Sequence, residues 1–273
     1  MDFRSDLATQ FVKTSKDQPH TLVRLFRFPE KNIYALRDEV CTFLGKTSGD
    51  TSSTSLVSAD DVTAVLIWCH VTKARHHDLE NTQAAQKISQ LWRSFDLRSI
   101  PALGISKDYV GNTALMYPTN AAMDDLIAAC EVLRNERGMQ AFSKIVVQTR
   151  EKPKTIDDTY ALTRLALAKA CDDPRRFKPR FFPQANRDLV YENKTALGRG
   201  LDFSEVPGIK HHSKPTCARV VHPGPINGVA VAQPSDTITS KDLIEVLLPL
   251  YQEDMYRLVE MDTWKQMLDP DLV

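Results

Sequence analysis

The stretch Leu201–Trp264 decides the fold, because two apolar runs and one helical pattern follow one another there. The first run, INGVAVA at Ile226–Ala232, is short, rich in β-branched residues and bounded by prolines, which favours a strand. The second run, LIEVLL at Leu243–Leu248, is closed by Pro249 and favours another strand. In the segment Gln252–Leu268, apolar residues recur near helical spacing behind two acidic residues, which predicts a helix.

Upstream of that stretch, short apolar runs alternate with helical patterns. Residues 20–28 combine apolar side chains with two arginines, as expected of a strand with one solvated face. Helices are predicted at Lys31–Leu44, Ser58–Arg75, Thr119–Gly138 and Thr155–Ala170, the third stopping at its glycine. The polar residues 45–55 are predicted to form a loop. This alternation predicts an α/β fold with one mixed central sheet and flanking helices.

Length and charge restrict the class of protein. Residues 22–273 are predicted to form one lobe, behind a poorly anchored segment at residues 1–21. The formal net charge is 0, so there is no electrostatic case for nucleic acid or an anionic membrane. No apolar run reaches the length of a membrane span, and the first residues lack the apolar core of a signal peptide. A cytoplasmic location is predicted.

The cysteine spacing agrees with that location, and a second pattern, at residues 172–186, bears on nucleic-acid binding. The five cysteines occur at no CxxC spacing, which favours reduced, mostly buried thiols. The segment 172–186 interleaves basic and aromatic residues, a pattern that occurs in nucleic-acid contacts. Because this patch is short and interrupted by prolines, an ordered crossover loop is the preferred interpretation.

The helix from Ser58 carries the most distinctive pattern of the chain. Ser58 and Asp61 have the spacing of an acidic capping box, and apolar residues mark a buried face behind them. The register of Val57–Trp68, followed by Ala74 and Arg75, resembles the (I/V)S-x-x-D-x-(L/V)-x-A-x-(I/L)-W helix of the BAHD acyl-CoA-dependent acyltransferases. In fungal members that helix ends in T-(R/K)-A-R, so the chain resembles the fungal, trichothecene O-acetyltransferase-like group.

Three shorter motifs extend the resemblance. Phe95–Arg98 (FDLR) is similar to the family's D-x-R strand, and Tyr109–Asn112 (YVGN) is similar to its Y-(F/V)-G-N turn. Asp202–Val206 (DFSEV) resembles the DFGWG signature but keeps only its first two residues. The resemblance covers roughly Leu22–Trp264 and corresponds to the second half of a BAHD enzyme. It implies a single chloramphenicol-acetyltransferase-like lobe.

The same resemblance implies roles for individual residues. Three residues of the turn are implied to line the acyl-CoA channel: Tyr109, Gly111 and Asn112. Asp202 and Phe203 are implied to be structural, with Asp202 forming an ion pair with Arg98. The alternative is that Arg98 faces solvent. A buried pair would favour specificity over net stability, because desolvation offsets most of the attraction.

Catalysis in the family depends on an HxxxD motif whose histidine takes the proton from the acceptor. None of the seven histidines in this chain has an aspartate four residues later. His76 with Glu80 is the nearest spacing, and we interpret it as a solvated turn rather than as a base. His211 and His212 suggest metal binding, but no Cys, Asp or Glu lies at ligand spacing, so no metal site is predicted.

The sequence leaves three functions open. The first is acyl transfer from acyl-CoA to a hydroxyl or amine of a secondary metabolite, incomplete without an HxxxD-bearing half. The second is a non-catalytic pseudoenzyme or small-molecule-binding lobe, and the third is a repurposed pocket that catalyses a different reaction. No tightly bound cofactor is expected, since acyl-CoA would be a cosubstrate. A single lobe would expose apolar area and sheet edges, which favours an N-terminal half or a second copy as partner.

Overall fold

The structure is a computed structural model that describes residues 20–48, 57–77, 87–173, 187–197, 226–234 and 242–270. The strands are β1 Thr21–Pro29, β2 Ile88–Asp96, β3 Ala114–Ala122, β4 Leu189–Asn193, β5 Val229–Gln233 and β6 Leu243–Tyr251. The helices are α1 Glu30–Ser48, α2 Ala59–Arg75, α3 Met123–Ala129, α4 Glu136–Glu151, α5 Asp158–Lys169, α6 Gln252–Glu260 and α7 Asp262–Lys265. The predicted α/β lobe with a mixed sheet and flanking helices is confirmed.

The six described strands form one sheet in the order β1-β6-β5-β4-β2-β3. The strands β2, β4 and β5 run parallel to one another, whereas β1, β3 and β6 pair antiparallel to their neighbours. The carboxyl ends of β2, β4 and β5 therefore lie at the same end of the sheet as the first residues of β6 and β3. We call this the loop end. The opposite end, where Arg75 contacts the residue before β4, is called the Arg75 end.

Helix α2 lies at the centre of the main core. Its sequence predicted one buried face, but every residue from Asp61 to Thr72 is buried, so the helix is enclosed on all sides. The predicted capping box is confirmed, since Ser58 Oγ accepts from Asp61 N at 3.1 Å and Ser58 N donates to Asp61 Oδ2 at 3.2 Å. Trp68 anchors the helix to the sheet by donating its indole N–H to Ser89 Oγ at 2.9 Å.

The predicted helix Thr119–Gly138 is wrong. Residues 114–122 form the edge strand β3, in which Tyr117, Thr119 and Ala121 are buried on one face with strand periodicity. The helical pattern belongs to the short α3 and to the first turn of α4, where Asn135 Oδ1 accepts from Gly138 N at 2.8 Å. The glycine thus begins a helix rather than ending one. The sequence did not predict the rest of α4 or strand β4.

Several predicted boundaries also move. Residues 45–48, expected in a loop, continue α1. Strand β5 begins at Val229, and β6 runs on through Pro249 to Tyr251. The proline is tolerated because the β5–β6 ladder spans only residues 231–233 and 245–247, before Pro249 is reached. The predicted helix Gln252–Leu268 is interrupted at Met261, whose φ of −69° and ψ of 123° are extended.

The remaining described segments agree with the predictions in outline. Strand β1 matches the predicted strand, and α5 lies within the predicted Thr155–Ala170. Helix α5 is nevertheless mostly exposed, and Ala161 is its one buried residue. Among the described residues, no helix is long and apolar enough to cross a bilayer.

Candidate functional site

The predicted channel motifs meet at the loop end of the sheet. The FDLR residues Phe95 and Asp96 end β2, and Leu97–Ser99 form a 3-10 turn rather than a continued strand. The residues that follow return to β3 after the YVGN turn. Because β2 and β3 are antiparallel neighbours, the two motifs lie at the same end of the sheet.

Asp96 and Arg98 hold this loop in place. Asp96 Oδ1 accepts from Arg98 N at 3.0 Å and from Thr113 Oγ1 at 2.9 Å. The Arg98 guanidinium pairs with Asp96 Oδ2 at 3.1 Å and donates to the Tyr109 carbonyl at 2.8 Å. The backbone N–H of Arg98, helped by the Thr113 hydroxyl and the Arg98 guanidinium, lowers the pKa of Asp96 against the opposing effect of burial. The carboxylate therefore stabilises the loop at neutral pH, and this contribution is lost as pH falls through that lowered pKa.

Arg98 does not simply face solvent, because its side chain is only 27% exposed and bridges two parts of the loop. Its predicted partner Asp202, together with Phe203, lies outside the described residues. Arg98 Nε is buried and has no hydrogen-bond partner within the described ranges. The Asp202–Arg98 pair stays a prediction.

The three predicted channel residues lie in the exposed part of the loop. Tyr109 is 53% exposed, and its ring lies so close to Gly111 that any side chain at Gly111 would overlap it. Asn112 Oδ1 accepts from Ala114 N at 3.0 Å and so fixes the start of β3. The turn thus has a defined shape and presents an aromatic face and backbone groups outward.

A buried ionic network beside this end was not found from the sequence. Arg93 on β2 donates to Asp61 Oδ1 at 2.8 Å and pairs with Asp60 at the start of α2. Tyr191 Oη and Asn193 Nδ2 also donate to Asp60 Oδ1, at 2.8 and 2.7 Å. Burial opposes the charge of Arg93, but the two carboxylates outweigh it and raise the pKa of Arg93. The network joins α2 to β2 and β4.

The Arg75 end holds a second concave feature. A cavity of about 530 Å³ is lined by His20, Arg75, His76 and Tyr251–Asp254. Arg75 donates to the Asp188 carbonyl at 2.7 Å and lies near Asn227 Oδ1 at 3.4 Å, so it joins α2 to the starts of β4 and β5. Burial lowers the pKa of Arg75 to about 10, while Asp254 and Asp188 offset part of that effect.

Gly228→Ala is expected to lower the free energy of unfolding by about 2–4 kcal/mol, measured by urea denaturation. Gly228 has φ +80°, and its missing side chain leaves room for the Arg75 guanidinium. A methyl group there would be strained and would displace Arg75 from the Asp188 carbonyl. Gly104→Ala is the matched control, because Gly104 has φ +61° but open space around it, so a loss of about 1 kcal/mol is expected. Equal losses in the two variants would contradict this role of Arg75.

The described histidines lie away from the loop end. His20 and His76 line the cavity at the Arg75 end, and the exposed His77 follows His76. His70 is fully buried in α2 and lies beside Cys69 and Cys130. Glu80, His211 and His212 lie outside the described residues. The described part of the chain therefore brings no imidazole to the predicted acyl-CoA channel.

Solved structures share this fold. TRI101 of F. graminearum in complex with coenzyme A and T-2 mycotoxin matches with a TM-score of 0.61 and 20% identity, over 91% of this chain and 50% of that chain. TRI101 of F. sporotrichioides in complex with coenzyme A and T-2 matches with a TM-score of 0.55 and 17% identity, over 92% of this chain and 51% of that chain. Vinorine synthase matches with a TM-score of 0.54 and 16% identity, over 97% and 54%.

This chain therefore has the fold of one half of these proteins, and it spans about half the length of the solved structures it matches. No family model and no curated protein matches the sequence. At 16–20% identity, the likeness shows a shared fold and not a shared activity.

Proposed function

We propose that this chain is one lobe of an acyl-CoA-dependent acyltransferase. The lobe would act with an HxxxD-bearing half to transfer an acyl group to a hydroxyl or amine of a secondary metabolite. The observation that carries this proposal is the contact between the FDLR and YVGN motifs, where Arg98 donates to the Tyr109 carbonyl, at one end of a sheet whose fold matches one half of coenzyme A-bound TRI101.

The loop at residues 96–113 would line the acyl-CoA channel. Tyr109 offers an exposed ring, and Gly111 keeps the backbone beside it clear of any side chain. The Asp96–Arg98 pair fixes the loop before a ligand arrives, which reduces the entropy cost of binding. A buried contact from Arg98 Nε to Asp202 would tie the DFSEV segment to the same loop.

Helix α5 would provide part of the contact with the other half. Leu162, Leu165 and Leu167 are 51%, 43% and 56% exposed, an unusual concentration of apolar side chains on one short helix. On its buried side, Ala161 packs with Leu97 and Ile100, so α5 lies next to the proposed channel loop. A partner half that covers Leu162 and Leu165, which lie on one face of the helix at i, i+3 spacing, would also close the channel.

The chemistry requires a base that this end of the lobe does not supply. In the proposed reaction a histidine takes the acceptor proton, the acceptor oxygen or nitrogen attacks the thioester carbonyl, and coenzyme A leaves as the thiolate. The described histidines lie at the opposite end of the sheet or inside the core. The HxxxD-bearing half would therefore contribute the base, and this lobe would bind and orient the thioester.

A second candidate function is a non-catalytic lobe that binds a small molecule. It is favoured by two features of the sequence, the absence of any HxxxD among 273 residues and the change of DFGWG to DFSEV. Such a lobe could still bind coenzyme A at the same loop. Binding alone therefore tests the proposed site, and transfer activity separates the two functions.

Acetyl-CoA is expected to bind the isolated lobe weakly and to slow amide hydrogen exchange at residues 96–113. Tyr109→Ala is expected to weaken binding by about tenfold, since the loss of one stacked aromatic contact removes about 1–3 kcal/mol. Tyr34→Ala is the matched control, because Tyr34 on α1 is also an exposed tyrosine (41%) outside the loop. Calorimetry and hydrogen-exchange mass spectrometry are the measurements. Protection confined to the Arg75 end would overturn the proposed site.

A further inference from the structure

Two cysteines and a histidine converge in the main core. Cys69 and His70 lie on α2, Cys130 follows α3, and all three side chains are 0% exposed. The Cys69 Sγ, His70 Nδ1 and Cys130 Sγ atoms lie within 4.8 Å of one another. Within the described ranges, this is the one group of three side-chain donors placed to hold a metal ion. We propose that it is a binding site for a thiophilic divalent cation, zinc.

The spacing of the donor atoms suits zinc. Bond lengths of about 2.3 Å to sulfur and about 2.0–2.1 Å to nitrogen place neighbouring ligand atoms roughly 3.5–3.8 Å apart in a tetrahedral site. Cys69 Sγ lies 3.3 Å from His70 Nδ1, close to that separation. The Leu66 carbonyl oxygen lies 2.8 Å from His70 Nδ1 and 3.2 Å from Cys69 Sγ, and is the neighbouring candidate for a fourth donor. Shifts of about 1 Å would bring the three side chains to ligand distance.

The surroundings of His70 also suit a ligand. His70 Nε2 lies 3.0 Å from Thr263 Oγ1, and Thr263 is itself buried. With a cation on Nδ1, Nε2 carries the ring proton and donates it to the threonine hydroxyl, an arrangement that commonly fixes a metal-bound imidazole. The hydrogen bond that Nδ1 shares with the Leu66 carbonyl is replaced by the metal bond.

Charge balance selects a divalent ion. Two thiolates and a neutral imidazole around a divalent cation give a net charge of zero, which an apolar core accepts at low cost. Binding releases the two thiol protons to solvent and changes no oxidation state. A monovalent ion would leave one uncompensated negative charge. Because the site is enclosed, the ion would enter as the chain folds, and its binding energy would then stabilise the fold.

The experiment is the metal content of the intact chain purified from zinc-supplemented cells. About one zinc per chain is expected in the native protein and in Cys41→Ser, and a loss of at least tenfold is expected in Cys69→Ser and Cys130→Ser. Cys41 is the matched control because it is a partly buried thiol on α1, outside the cluster. Circular dichroism confirms that each variant is folded.

A second measurement decides the question if the serine variants do not fold. The native chain is refolded with cobalt, and a thiolate-to-cobalt charge-transfer band is expected. Absence of both metal and band would overturn the proposal. Zinc retained in Cys69→Ser and Cys130→Ser, or a Cys69–Cys130 disulfide in protein purified without reductant, would overturn it equally.

Discussion

Acetyl transfer from acetyl-CoA to an alcohol is expected to be undetectable with this chain alone and to appear when an HxxxD-bearing half is added. A positioned general base is worth about 10²–10⁴-fold in rate, and the described histidines lie far from the loop end. The thioester must also be enclosed, and the exposed loop at residues 96–113 provides only one wall. Coenzyme A release, followed with a thiol reagent, measures the transfer.

Two controls define that experiment. An added half with its HxxxD histidine changed to alanine should give no transfer, whereas His76→Ala and His77→Ala in this chain should leave the restored rate unchanged. Loss of activity in either of these two variants would show that the turn after α2 supplies a catalytic base. That result would contradict the interpretation that neither histidine acts as a base, although His76 is half-buried beside the cavity and only His77 is exposed.

The same assay separates the two candidate functions. Restored transfer would support the split acyltransferase. Binding of acetyl-CoA without transfer, in the presence of a competent half, would favour the non-catalytic lobe. Transfer by this chain alone would contradict both, because it would require a base that neither function assigns to it.

The sequence predicted the fold best where local chemistry decides the structure. Ser58 and Asp61 satisfy each other's backbone groups within one turn, so the start of α2 could be predicted without tertiary information. The strand at residues 114–122 was missed although Tyr117, Thr119 and Ala121 alternate. Helix α3 begins at Met123, immediately after the strand, and its helical spacing made the last residues of the strand, from Thr119 on, resemble the start of the same helix.

The contacts that could not be predicted from the sequence join residues that are far apart along the chain. Arg93 meets Asp60 and Asp61 only because β2 lies beside the start of α2, and no spacing in the sequence encodes that contact. Cys130 reaches Cys69 through the packing of α3 on α2, which likewise has no motif. A signal was present in the two acidic residues at the start of a mainly apolar helix, since a buried carboxylate requires a cationic partner.

Arg93→Met is expected to lower the free energy of unfolding by about 3 kcal/mol, because it leaves the buried Asp61 carboxylate with Arg150 alone, whose Nη1 lies 3.8 Å from Asp61 Oδ2. The Asp61 side chain is 3% exposed and that of Arg93 is 14% exposed, so water cannot replace the guanidinium. At roughly 2–4 °C per kcal/mol for a chain of this size, the melting temperature should fall by about 10 °C. Urea denaturation and thermal melting followed by circular dichroism measure both quantities.

Arg37→Met is the matched control, because Arg37 pairs with Asp38 on the exposed surface of α1 and should contribute at most about 1 kcal/mol. Adding Asp61→Asn to Arg93→Met should recover part of the loss, because it removes the charge that Arg93 neutralised. A loss for Arg93→Met no larger than that for Arg37→Met would show that the network is not needed to hold α2. The attachment of α2 to the sheet, and with it the position of β2 that carries the channel loop, would then rest on apolar packing and on the hydrogen bonds of Trp68 and Arg75.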